Sequence, residues 1–174
     1  MAMAELADAV KTRILETFGT TPYPGGGELV TDQSGYDPES REIANAFKGK
    51  DWRDVSVEML RNHGEALPLF TPAAFRYYLP AYMIGCVDSH YAVDVALDSV
   101  LFNLTPPKDR SGWEWDFFWA RAQRFSKRER EAIRSFLELM EQYKISDWAS
   151  EGREPPKNRV RPALDFWVEL TTRR

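Results

Sequence analysis

Cys86, His90 and Asp94 stand four residues apart. On one continuous helix they would stack along a single face as thiol, imidazole and carboxylate, the order of a nucleophile, its base and an orienting acid. The same residues also read as a small buried hydrophobe among Ile84, Gly85 and Val87, followed by a local surface pair of His90 with Asp94. The second reading is preferred. Cysteine nucleophiles usually take their base from a distant segment, and nothing beside Cys86 supplies an oxyanion site. No catalytic residue is therefore assigned. The other histidine, His63, lies outside any HExxH-type spacing, so no metal site is expected. Gly25, Gly26 and Gly27 are followed by Glu28 and Leu29, not by the lysine and hydroxyl residue of a phosphate loop. They read as a flexible loop, no dinucleotide fingerprint is present, and no cofactor is expected.

Two stretches carry binding chemistry instead. Arg121, Arg124, Lys127, Arg128, Arg130 and Arg134 stand against only Glu129 and Glu131. Such an island would suit RNA or an acidic partner if Arg121, Arg124 and Arg128 shared a helical flank, but it reads equally as a solvated helix face. Residues 113–119, WEWDFFW, hold five aromatics and two acids. In an extended backbone Trp113 and Trp115 would point one way and Glu114 and Asp116 the other. Those four are the expected partner-binding residues, docking a basic protein surface; the competing reading is that these aromatics cover the core. Residues 1–60 hold eleven acidic residues against six basic, and the whole chain has a net charge of −4 with a pI near 5.3. That balance disfavours a general affinity for nucleic acid.

The elements that must position these residues are helical. Leu6, Val10, Ile14 and Phe18 mark a first helix over residues 5–18, with Gly19 expected as a left-handed cap. Residues 19–36 read as a long loop with room for a short strand at Leu29 and Val30. Asp37, Pro38 and Glu39 begin a helix that ends before Gly49. Ser56 caps another short one. Phe75, Tyr78, Leu79, Tyr82 and Met83 give a broad apolar helical face that Pro80 should kink or split. Ser89 is expected to cap the next helix, which runs through Val93, Ala96, Leu97, Val100, Leu101 and Leu104 to stop before Pro106. Residues 108–125 show no clean period and read as an irregular connection. Ser126 with Glu129 forms a capping box for a helix to about Tyr143, residues 151–161 read as a linker, and Pro162 opens a last helix. The expected fold is an all-α or mostly α single domain over residues 1–174. One cysteine, no basic leader and no long uncharged apolar run predict a cytoplasmic, non-membrane protein.

Trp52 with Val55, and then the run LPLFTPAAFRYYLPAYM at residues 67–83, resemble the Trp-x-x-Val element and the Pro-Ala-Ala-Phe-x-Tyr-Tyr-Leu-Pro-Ala-Tyr signature of a family of small uncharacterised bacterial proteins. The helix SKREREAIRSFLELM at residues 126–140 is similar to that family's closing helix, so the likeness covers about residues 36–143. The resemblance implies a domain of unknown function and transfers no catalytic residue. The functional expectation is a non-enzymatic bacterial protein-interaction domain of the immunity or antitoxin-like kind. The alternatives are a small hydrolase or transferase using Cys86, His90 and Asp94, or an RNA-binding protein using residues 121–134.

Overall fold

The computed structural model describes residues 2–89, 93–152 and 160–172. The described residues form eight α-helices: α1 (Met3–Phe18), α2 (Pro38–Phe47), α3 (Val57–Asn62), α4 (Pro72–Ser89), α5 (Asp94–Leu104), α6 (Gly112–Ala122), α7 (Lys127–Ser150) and α8 (Arg161–Thr172). One antiparallel β-bridge, Val30 with Phe70, is the only extended pairing among them. The all-α expectation holds.

Local grammar sets most boundaries. Asp37 accepts from the Ser40 amide at 2.9 Å, and Pro38 occupies the first turn of α2. These bonds from Ser40 hold the Asp37 carboxyl below its usual value. Ser56 caps α3 through the Met59 amide. The Ser126 and Glu129 capping box opens α7 as expected, but α7 runs to Ser150, well past Tyr143. α1 ends at Phe18 without the left-handed glycine expected of it, because Gly19 keeps a right-handed φ of −58° and the Arg53 guanidinium satisfies its carbonyl instead. Gly49, at φ +69°, does take the left-handed geometry that follows α2.

α4 is the central element, touching α1, α3, α5, α6 and α7. Phe75, Tyr78, Leu79, Tyr82 and Met83 are all 1% exposed or less. Burial extends around the helix to Ala74, Tyr77, Ala81 and Cys86, so it is apolar on nearly every side. That enclosure explains why Pro80 does not split α4, since tertiary packing on all sides holds a helix that a lost amide would weaken in isolation. The buried phenols reach across to the ends of α2 and α3. Tyr78 donates to the carbonyls of Phe47 and Lys50, each at 2.8 Å, and Tyr82 donates to that of His63 at 2.7 Å. Burial pushes both hydroxyls well above the ordinary tyrosine range.

Ser89 closes α4 and does not open the next helix, whose first residue is Asp94. Within the irregular connection expected at residues 108–125, residues 112–122 instead form helix α6. Its period was masked because large aromatics stand on several sides of it: Trp115 and Phe118 pack on Phe166 of α8, while Trp113 remains outside. The linker expected at residues 151–161 lies largely outside the described residues, and α8 then returns Leu164, Phe166, Trp167 and Leu170 to the core. The long loop at 19–36 is tied down by reciprocal bonds, Thr31 N–H to the Leu69 carbonyl and Thr71 N–H to that of Leu29, both 2.9 Å. No helix among the described residues is long and apolar enough to cross a membrane.

Candidate functional site

A helix turns about 100° per residue, so Trp113, Phe117 and Arg121, four apart, lie on one stripe of α6 while Trp115 turns to the opposite side. The stripe faces a pocket of about 510 Å3 between α6, the C-terminal end of α5 and the Pro106–Pro107 turn. Trp113, Phe117 and Phe118 wall it from α6, Phe102 from α5, and Pro68 from the short turn Leu67–Leu69. Three of these side chains are unusually open for their size: Phe102 is 76% exposed, Trp113 75% and Phe117 37%. The pocket has a cation at its wall. Arg121 is only 4% exposed and donates to the backbone carbonyls of Phe70 (2.6 Å), Pro68 (3.2 Å) and Phe117 (3.2 Å). Its guanidinium stacks on the Phe117 ring at 3.6 Å, and its Nε–H has no hydrogen-bond partner among the described residues. Burial lowers the Arg121 pKa to about 10, which leaves it charged at neutral pH. It therefore locks α6 onto the turn that precedes α4 and holds Phe117 at the pocket mouth.

The four residues expected to bind a partner are divided by this geometry. Trp113 and Glu114 line the pocket, and both are exposed. Asp116 is exposed but does not reach it. Trp115 is half-buried, stacked on Trp119 with centroids 5.7 Å apart, edge-on to Phe166, and covered by Arg110. The extended alternation of indoles and carboxylates does not occur, because the segment is helical. Sequence reasoning missed Phe102, took Phe117 only as one of the aromatics of 113–119, and read Arg121 as part of the basic island. The i, i+4, i+8 spacing of Trp113, Phe117 and Arg121 was the signal that pointed to the last two.

The other constellations are differently placed. Cys86 is fully buried, and burial pushes its thiol up to about 12, which removes the thiolate a nucleophile needs. His90 lies outside the described residues, as does the side chain of Asp94. Val93, the residue before α5, has φ −122° and ψ 35°, which is not helical, so α5 starts afresh at Asp94. The basic island is also split: Arg121 belongs to α6 and is buried, whereas Lys127, Arg128, Arg130 and Arg134 belong to α7, so Arg121, Arg124 and Arg128 do not form one flank. Arg134 pairs with Glu138 at 2.9 Å. Among the described residues no group of three or more His, Cys, Asp or Glu side chains is placed to hold a metal ion.

One polar cluster has a structural role. Glu129, 2% exposed, accepts from the Ser126 amide at 2.6 Å, from Arg76 Nε and Nη2 at 3.0 Å each, and from the Thr21 hydroxyl at 3.3 Å. It joins the start of α7 to α4 and to the 19–36 loop. Arg76 of α4 is thereby tied to the start of α7.

Residues 7–167 match the family of unknown function DUF6714. The chain belongs to DUF6714. The match extends beyond residues 36–143 at both ends, taking in most of α1 and much of α8. No curated protein and no solved structure matches the chain.

Proposed function

We propose that this DUF6714 chain is a non-enzymatic protein-interaction domain of the bacterial cytoplasm, of the immunity or antitoxin-like kind, that holds a protein partner against the outer face of α6. The observation that carries this reading is the open aromatic cluster of Phe102, Trp113 and Phe117 around one apolar pocket. Large aromatics left in water on a soluble domain mark interaction surfaces, and tryptophan in particular is a frequent energetic anchor. Rigid backing strengthens the argument, since Arg121 and the Trp115 stack fix α6 before any partner arrives. The exposed carboxylates of Glu114 and Asp116 favour a basic partner and would act mainly on its rate of approach. The hydrolase reading is not favoured by a buried Cys86, nor the RNA reading by a buried Arg121.

Association kinetics with the partner recovered from the native host test the proposal. Glu114→Lys with Asp116→Lys should slow association about tenfold and flatten its salt dependence. Trp113→Ala should speed dissociation by about 30-fold, the equivalent of a hot spot near 2 kcal/mol. Unchanged rates in both variants would sink the reading.

A further inference from the structure

A second concavity, about 790 Å3, runs beside the first along α5. The two share Pro68, Phe102, Asn103 and Thr105, so they form one continuous groove with Phe102 at the junction. Val95, Asp98, Ser99 and Phe102 follow the i, i+3, i+4, i+7 pattern and line it, which makes the groove the outward face of α5. Val95 is 57% exposed, so this face offers apolar surface to solvent at both ends.

The second concavity is acidic. Glu39 from α2, Glu65 from the turn after α3, and Asp98 line it without a lysine or arginine, whereas Lys108 and Arg121 line the first concavity, so the acidic end is the one that suits a cation. Among the described residues none of these three carboxylates has an ion-pair or hydrogen-bond partner. Three unpaired like charges beside an apolar floor raise the local negative potential and draw in a cation-bearing ligand. The outward face of α5 forms one long wall of the groove, and an amphipathic helix laid along it is the recognition mode that pairs an apolar stripe with flanking charges.

Resting on the reading of α6 as a docking face, we propose that this groove takes a cationic amphipathic helix of the partner. Its lysines or arginines face Glu39, Glu65 and Asp98, and an apolar side chain anchors between Phe102 and Trp113. The 11 residues of α5 accommodate about three turns of such a helix, on the order of 16 Å.

The probe is a labelled 14-residue peptide of leucine and lysine with leucines at i, i+3, i+4 and i+7, followed by fluorescence anisotropy on the whole chain. It should bind at least tenfold tighter than a scrambled peptide of the same composition and than a version with glutamate for every lysine. Binding should fall at least tenfold in the Glu39→Gln, Glu65→Gln, Asp98→Asn variant and in Phe102→Ser, each checked for an unchanged helical circular dichroism spectrum. Equal affinity for the scrambled peptide, or wild-type affinity in the triple variant, overturns the proposal. If the triple variant still binds the native partner while Trp113→Ala does not, the groove assignment fails and the α6 reading survives; if neither substitution matters, both fail.

Discussion

Replacing Glu129 by Ala removes one carboxylate that serves three segments at once. The Ser126 amide loses its acceptor at 2.6 Å, Arg76 loses both of its 3.0 Å contacts, and the Thr21 hydroxyl is released. Loss of the capping contact costs about 1 kcal/mol. Hydrogen bonds to a charged group contribute about 1.5–3 kcal/mol each when made. The Arg76 side chain is 30% exposed and recovers part of that loss by hydration. A total near 3 kcal/mol is expected, at the low end of the about 3–5 kcal/mol found when one partner of a buried pair is removed. With a urea dependence of about 2 kcal/mol per molar, the unfolding midpoint should fall by about 1.5 M. A cycle pairing Arg76→Met with Glu129→Gln isolates the ion pair, because Gln retains an oxygen for the Ser126 amide. A coupling above about 1 kcal/mol is predicted. Coupling under 0.5 kcal/mol would refute the view that this carboxylate holds α7, α4 and the 19–36 loop together.

Leu79→Ala should cost about 2–5 kcal/mol in urea unfolding, because Leu79 is fully buried on the central helix. Gly85→Ala places a methyl group 2.3 Å from Leu60 Cδ1, a side chain itself 2% exposed, and should destabilise by about 1–3 kcal/mol as the two helices part. Cys86 should react with thiol reagents at neutral pH no faster than the protein unfolds; rapid labelling of the native state would restore it as a nucleophile candidate. Since burial raises this thiol from 9.0 to about 12, its contribution to stability is complete below pH 9 and is lost as pH rises toward 12. The alkaline loss of stability should accordingly shrink in Cys86→Ala, as measured by urea midpoints between pH 8 and 11.

What could be read from the residues followed the strength of local signals. Asp37 with Pro38, and Ser126 with Glu129, are complete helix-start grammars, and the structure places both helices where those residues ask. The face of Phe75, Leu79 and Tyr82 was legible because its apolar period is unbroken. α6 was not, since a helix with aromatics toward both α8 and solvent has no single apolar stripe, and in a linear reading WEWD imitates a strand. Gly19 misled for a related reason, its helix end being satisfied by Arg53, 34 residues away. Of the expected site, Trp113 and Glu114 lie at the pocket; Phe117 and Arg121 follow Trp113 along α6 at i+4 and i+8, whereas Phe102 enters only through tertiary packing. The acidic lining assembled from Glu39, Glu65 and Asp98 had no local signature at all, because three separate segments contribute one carboxylate each.

Site-specific photocrosslinking in the native host tests the central claim most directly. Benzoylphenylalanine would replace Trp113, Phe102 or, as an exposed control away from the pocket, Tyr36, which is 90% exposed. The α6 reading predicts one discrete adduct, the same protein, from positions 113 and 102 and none from position 36. No adduct at 113 or 102, or the same diffuse set of adducts at all three positions, would contradict it.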